Sequence, residues 1–146
     1  MIRINYKRLF KYLLPLIWMI IIFKFSSDTG KVSDGKSGFV IQIINYLGID
    51  INNIFGEMTN FIVRKLGHFT EYFILCFLLM IALEENFSLK KAMKLSLFIT
   101  FIYACSDEFH QLFVPERTGK IKDVLIDTCG GILAVGIRFL LAKKKI

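Results

Sequence analysis

The sequence predicts an all-α integral membrane protein with four transmembrane helices, N-in/C-in, and an interfacial or re-entrant helix in the first external loop. Three observations carry this reading. Apolar residues fill 55% of the 146 positions and charged residues 21%, which is richer in apolar side chains than a usual soluble domain. These residues are segregated, so that long apolar runs alternate with short segments holding most of the charge. The basic residues are shared unevenly among those segments, which sets an orientation.

The length suits one compact unit, a single transmembrane domain over residues 1–146. The first span is expected at about 9–25, LFKYLLPLIWMIIIFKF. Lys11 and Lys24 near its ends can snorkel to the interfaces, and Pro15 inside it predicts a kink. A basic leader with Arg3, Lys7, Arg8 and Lys11 precedes it, but no small-x-small cleavage pattern follows, so it reads as an uncleaved signal anchor.

The second span is expected at about 61–83, with Arg64, Lys65, His68 and Glu71 crowding its first half before the apolar YFILCFLLMIAL. The third, about 92–110, holds LSLFITFIYACS between Lys94 and Asp107. The fourth, about 122–142, has Gly130, Gly131, Ala134 and Gly136 as small surfaces where a neighbouring backbone can come close. Between the first two spans, SSDTGKVSDGKSG (26–38) reads as turn and loop. FVIQIINYLGI (39–49) is too short to cross a bilayer and reads as an amphipathic interfacial helix or a re-entrant element.

The N-terminus, the 84–94 loop and the tail carry eleven basic residues opposed only by Glu84 and Glu85. The rest of the chain has eight basic and ten acidic residues. The positive-inside rule therefore puts both termini and the middle loop in the cytoplasm. The formal charge of +7 has its account in that distribution, and the absence of a basic soluble face or motif speaks against nucleic acid as a partner.

Cys76, Cys105 and Cys129 lie in apolar stretches without a CxxC pair, which suits small buried residues rather than disulfides or thiolate metal ligands. HExxH, GxSxG and a phosphate-binding P-loop are missing, the TGK tripeptide lacking the glycine-rich lead. No cofactor is predicted. No metal site is expected either, the weak alternative being a nitrogen–oxygen shell from His68, Glu71 and His110.

The polar ends of the last three spans should meet on the outer side of the membrane. Arg64, His68 and Glu71 stand at i, i+4 and i+7, one stripe of a helix. Asp107 lies three and four residues before His110 and Gln111, with Glu108 alongside, and Asp123 and Asp127 are four apart. Ionisable groups at membrane depth face a protein interior or a wet cavity and need partners. Three readings stay open. The groups tie the helices together, with Arg64 or Arg117 paired to Asp123 or Asp127 and His68 bonded to Glu71. They line a pocket for something anionic or polar at headgroup level, where an arginine fork suits phosphate. Or they make exposed headgroup contacts without a role.

At these residues the chain resembles the VanZ-like family, named for a bacterial protein associated with teicoplanin resistance. The matching pieces are FKFSSDTG (23–30), VRKLGHFTEYFILCFLL (63–79) and ACSDEFHQLFVPERTGKIKDVLIDTCGG (104–131). Motif positions include Ser26, Ser27, Gly119 and Gly130 beside the charged residues; Gly67 stands where the family usually has alanine, and Glu116 is a variable position. The resemblance implies a multi-pass protein of the bacterial plasma membrane linked to the cell envelope or to glycopeptide tolerance, without a settled molecular activity.

The leading expectation is a module that binds or helps move an anionic envelope lipid intermediate or a lipoglycopeptide, with membrane lipids as its surroundings. Its ligand-binding residues would be Arg64, Lys65, His68, Glu71, Asp107, Glu108, His110, Gln111, Arg117, Asp123 and Asp127. The alternatives are a membrane-embedded enzyme with His110 and Asp107 or Glu108 as proton-transfer groups, and an accessory protein whose polar network is structural. The sequence leaves the oligomeric state open.

Overall fold

The structure, a computed structural model, describes residues 6–143. Arg3, Lys144 and Lys145, counted above among the basic residues, lie outside the described residues. Six α-helices follow one another: α1 Tyr6–Ser26, α2 Gly30–Tyr46, α3 Ile51–Phe55, α4 Thr59–Leu83, α5 Leu89–Gln111 and α6 Ile121–Lys143, with a 3-10 turn Gly56–Met58 joining α3 to α4.

The expectation of four membrane-spanning helices is corrected to three. Tyr6–Ser26, the continuous helical run Ile51–Leu83 and Ile121–Lys143 are long and apolar enough to span a membrane. The expected third span, 92–110, lies in α5, which is 23 residues long but is not among them. Lys90, Lys91 and Lys94 occupy its start and Asp107, Glu108 and His110 its end. The face it buries is polar as well, with Ser96, Thr100, Asp107, Glu108 and Gln111 turned inward. α5 packs that stripe against α4 and α6, which keeps the polar groups away from hydrocarbon. The N-in/C-in orientation is read from the basic residues over four crossings, and only three helices are long and apolar enough to supply them.

The segment 26–38 is also corrected. Only Ser27–Thr29 forms a turn, and Gly30 already opens the 17-residue α2. The Thr29 hydroxyl caps this helix by accepting the Val32 N–H at 3.4 Å, a usual N-terminal device. The serine and glycine content that reads as loop serves packing instead. Ser37 is buried and bonds back to the Ser33 carbonyl at 3.0 Å, and a Cβ on Gly30 would lie 2.6 Å from the Glu116 carbonyl oxygen. α2 lies along α4.

α4 is the hub, in contact with α1, α2, α5 and α6. Ile22, Tyr72, Leu75, Leu79, Ala104 and Val124 form one core cluster, and Cys76, Met80, Met93 and Ala134 another. α6 approaches α4 closely because Gly130 has no side chain: a Cβ there would collide with the Phe69 carbonyl. Gly131 meets Leu97 and Thr100 of α5, whereas Gly136 faces open space. Of the three cysteines only Cys76 is buried, Cys105 is half-buried, Cys129 is exposed, and all are free. The expectation of small buried residues therefore holds for the first alone.

One end of the bundle is basic and tied by its two glutamates. Arg138 grips Glu84 through two bonds of 2.8 and 2.6 Å, Lys11 pairs with Glu85, and Arg8 bonds Asn86. The opposite end gathers the polar groups singled out above.

Candidate functional site

That opposite end is built by the last turns of α1 and α5, the first turns of α2 and α6, the first half of α4 and the 112–120 loop. The loop is held over α2. The Gly30 N–H donates to the Pro115 carbonyl at 3.3 Å, and the Glu116 carboxylate accepts the Lys31 N–H at 3.0 Å. An acidic group at a helix N-terminus is electrostatically favoured. Glu116 adopts a left-handed backbone, φ 62°, uncommon for a residue with a side chain. The loop's other flank closes on α5, where a Cβ at Gly119 would strike the Glu108 carbonyl.

Two hollows open here. One, of about 540 Å³, runs between α1, α2 and α4 and is mainly apolar, with Arg64, His68, Glu71 and Arg117 on its wall. The other, of about 730 Å³, lies between α4, the start of α6 and the loop, and is lined by Arg64, Lys65, His68, Gln111, Arg117, Lys120, Lys122 and Asp123 among others. Arg64, His68 and Arg117 belong to both. The stripe at i, i+4 and i+7 thus faces the first hollow as one wall.

The pairings differ from those expected. Arg64 bonds Asp34 of α2 at 2.9 Å, and it is Lys65 that reaches Asp123, at 2.6 Å. Arg117 donates its Nε–H to the Asp28 backbone carbonyl at 3.1 Å. Its two terminal nitrogens have no hydrogen-bond partner among the described residues. Burial lowers the Arg117 pKa, and the neighbouring Arg64 lowers it further, while Asp28, Asp107 and Asp34 act in the opposite sense. Lys120 and Lys122 make no ion pair among the described residues. His68 does not bond Glu71: its buried Nδ1 has no partner among the described residues.

Deeper in the bundle sits a buried acidic group that lines neither hollow. Asp107, Glu108 and Asp127 are all buried. Asp107 accepts from Gln111 at 3.4 Å through one oxygen, and Glu108 accepts the Lys120 N–H at 2.9 Å, holding the start of α6. The second oxygens of both, and both oxygens of Asp127, are unpartnered among the described residues. The Ser26 and Tyr72 hydroxyls stand beside Asp107, outside hydrogen-bond geometry. Unpaired polar groups at such depth are costly and are kept only where something else is gained.

His110, like these carboxylates, stands apart from the hollows. Its ring packs on Phe23, centroids 4.6 Å apart. Among the described residues no three His, Cys, Asp or Glu side chains are grouped to hold a metal ion, and His68, Glu71 and His110 are not assembled into such a set.

Sequence reasoning missed Asp28, Asp34 and Trp18, and set Glu116 aside as a variable position. A signal for the α2 residues existed in the spacing of Ser33, Ser37, Val40 and Ile44, which is helical. Trp18 gave none: its indole N–H donates to the Glu71 carbonyl at 2.9 Å, a link between helices that no local pattern marks.

Apolar helices joined by a polar end of this kind define a multi-pass membrane protein. The family model described as VanZ/LLP1 matches residues 11–142, nearly the whole chain, and the chain belongs to that family. It is a bacterial multi-pass protein of the plasma membrane, set among membrane lipids. Searches of curated proteins and of solved structures find no match.

Proposed function

We propose that the polar end of the bundle faces the outer surface of the membrane and binds the anionic group of an envelope lipid or lipoglycopeptide. The observation that carries this is Arg117, half-buried beside Arg64, with its two terminal nitrogens unclaimed and turned to hollows that Arg64 also lines. Asp34 meets Arg64, but the two guanidinium groups still disfavour one another, and an anion between them would relieve that. A phosphate or carboxylate offers paired oxygens to such a fork. Lys120 and Lys122 add positive charge on the second hollow's wall, and His68 adds an unused nitrogen. The outward direction follows from charge: the other end holds Arg8, Lys11, Lys90, Lys91, Lys94 and Arg138, the pattern of a cytoplasmic face.

In this reading the Lys65–Asp123 and Arg64–Asp34 pairs shape the pocket, and Asp107, Glu108 and Asp127, which line neither hollow, lie behind it in the bundle. The test is native mass spectrometry of protein extracted from bacterial membranes in mild detergent, with Arg117→Ala alongside. An adduct present on the wild type and lost from the folded variant supports the reading, and its mass tells a lipid from a glycopeptide. Equal adducts on both proteins contradict it.

A further inference from the structure

We propose that the apolar hollow between α1, α2 and α4 seats one hydrocarbon chain of a lipid whose anionic headgroup lies at Arg64 and Arg117. The inference rests on the reading above and deepens it, because it makes the ligand a lipid held by both ends rather than an anion alone.

The hollow is about 540 Å³, within the range of about 300–1,000 Å³ usual for pockets that bury a small molecule. Its walls combine a few charged groups with a mainly apolar lining. Beside Arg64, His68 and Arg117 the polar lining includes Asp28, Lys36 and Glu71, while Trp18, Val40, Ile44, Val63 and Ile74 supply much of its larger apolar wall. Trp18 lies eight residues before the end of α1 at Ser26, about 12 Å down the helix at 1.5 Å per residue, so the apolar part extends well into the bundle. Guanidinium groups beside hydrocarbon-compatible walls in one hollow match a molecule with an anionic head and an apolar chain. The polar residues shared with the second hollow place the headgroup, which fixes where the chain must enter. Gly67 is what keeps the wall of α4 low: a Cβ there would meet no atom within 4 Å.

Trp18 is the chain's single tryptophan, so indole emission reports on this hollow alone. The protein would be placed in nanodiscs of phosphatidylcholine containing a small fraction of phosphatidic acid with brominated chains, which quench indole on contact. The same fraction of brominated phosphatidylcholine measures quenching by bulk lipid. Quenching by the phosphatidic acid is expected to exceed the bulk value several-fold, and Gly67→Phe, which fills the hollow, is expected to remove the excess. Val40→Phe blocks it from the α2 wall and should act alike, so the test does not depend on one variant folding. Gly38→Phe, on α2 outside the hollow and also facing open space, should keep the excess.

Quenching no greater than bulk in the wild type, or an excess retained in both blocked variants, overturns the chain site. Phosphatidic acid adducts, followed on the same samples by native mass spectrometry, separate the two claims. Adducts that persist without excess quenching remove the chain site and leave the headgroup reading standing, whereas their absence removes both.

Discussion

The Lys65 ammonium lies 2.6 Å from the Asp123 carboxylate, and both side chains are largely out of solvent. The pair joins α4 to the first turn of α6, where an acidic residue also suits the positive end of the helix dipole. Removing one partner strands a buried charge, which costs about 3–5 kcal/mol. Asp123→Ala is therefore expected to lose about 3 kcal/mol in denaturant unfolding in detergent. The double variant Lys65→Met/Asp123→Leu should lose clearly less. A single variant that loses no more than the double would show that the pair is not insulated from water.

Gly130 and Gly136 sit on the same helix and should respond oppositely. At Gly130 a Cβ has no space beside the Phe69 carbonyl, while at Gly136 it meets nothing. Gly130→Ala is expected to destabilise by about 1–3 kcal/mol as α6 is pushed from α4. Gly136→Ala should be neutral or stabilise by up to about 1 kcal/mol through helix propensity. Melting temperatures of the two variants, measured side by side, decide it.

How much of this was legible beforehand depended on the kind of signal. α4 and α6 declare themselves by apolar runs, and Arg64, His68 and Glu71 by helical spacing. α5 shows where membrane reading by composition stops. Its apolar centre suggested a span, yet its buried face carries Ser96, Thr100, Asp107, Glu108 and Gln111 beside Ala92, Met93 and Ala104. α2 was hidden for the same reason, since Ser33, Gly35 and Ser37 read as loop until Thr29 is seen to cap a helix there. Pairings across helices, such as Arg64 with Asp34, leave no trace in local spacing. Asp123 and Asp127 looked equivalent at i and i+4, but one faces Lys65 and the other lies a turn deeper without a partner among the described residues.

The two histidines should separate cleanly. His68 lines both hollows with a free nitrogen, and His110 is stacked on Phe23. His110→Phe keeps a ring at that contact and is expected to leave anionic-lipid affinity within about twofold. His68→Ala should weaken it by about fivefold or more, the loss of a hydrogen bond to a charged group. Lipid titrations in nanodiscs check both, and the reverse order would move the ligand toward α1 and α5.

At the basic end, the two-bond grip of Arg138 on Glu84 depends on a planar fork that lysine lacks. Arg138→Lys is expected to lose about 1 kcal/mol despite keeping its charge. The double variant Arg138→Lys/Glu84→Gln should add little to that loss. Unfolding of the set in a mutant cycle measures the coupling.

The most direct test of the central claim is the affinity for phosphatidic acid relative to phosphatidylcholine in nanodiscs, compared between wild type and Arg117→Ala. Charge-assisted bonds from a guanidinium to phosphate are worth about 1.5–3 kcal/mol, so the preference is expected to fall by about tenfold or more, with Arg117→Lys in between. An unchanged preference in a folded Arg117→Ala protein would contradict an anion-binding role for this end of the bundle.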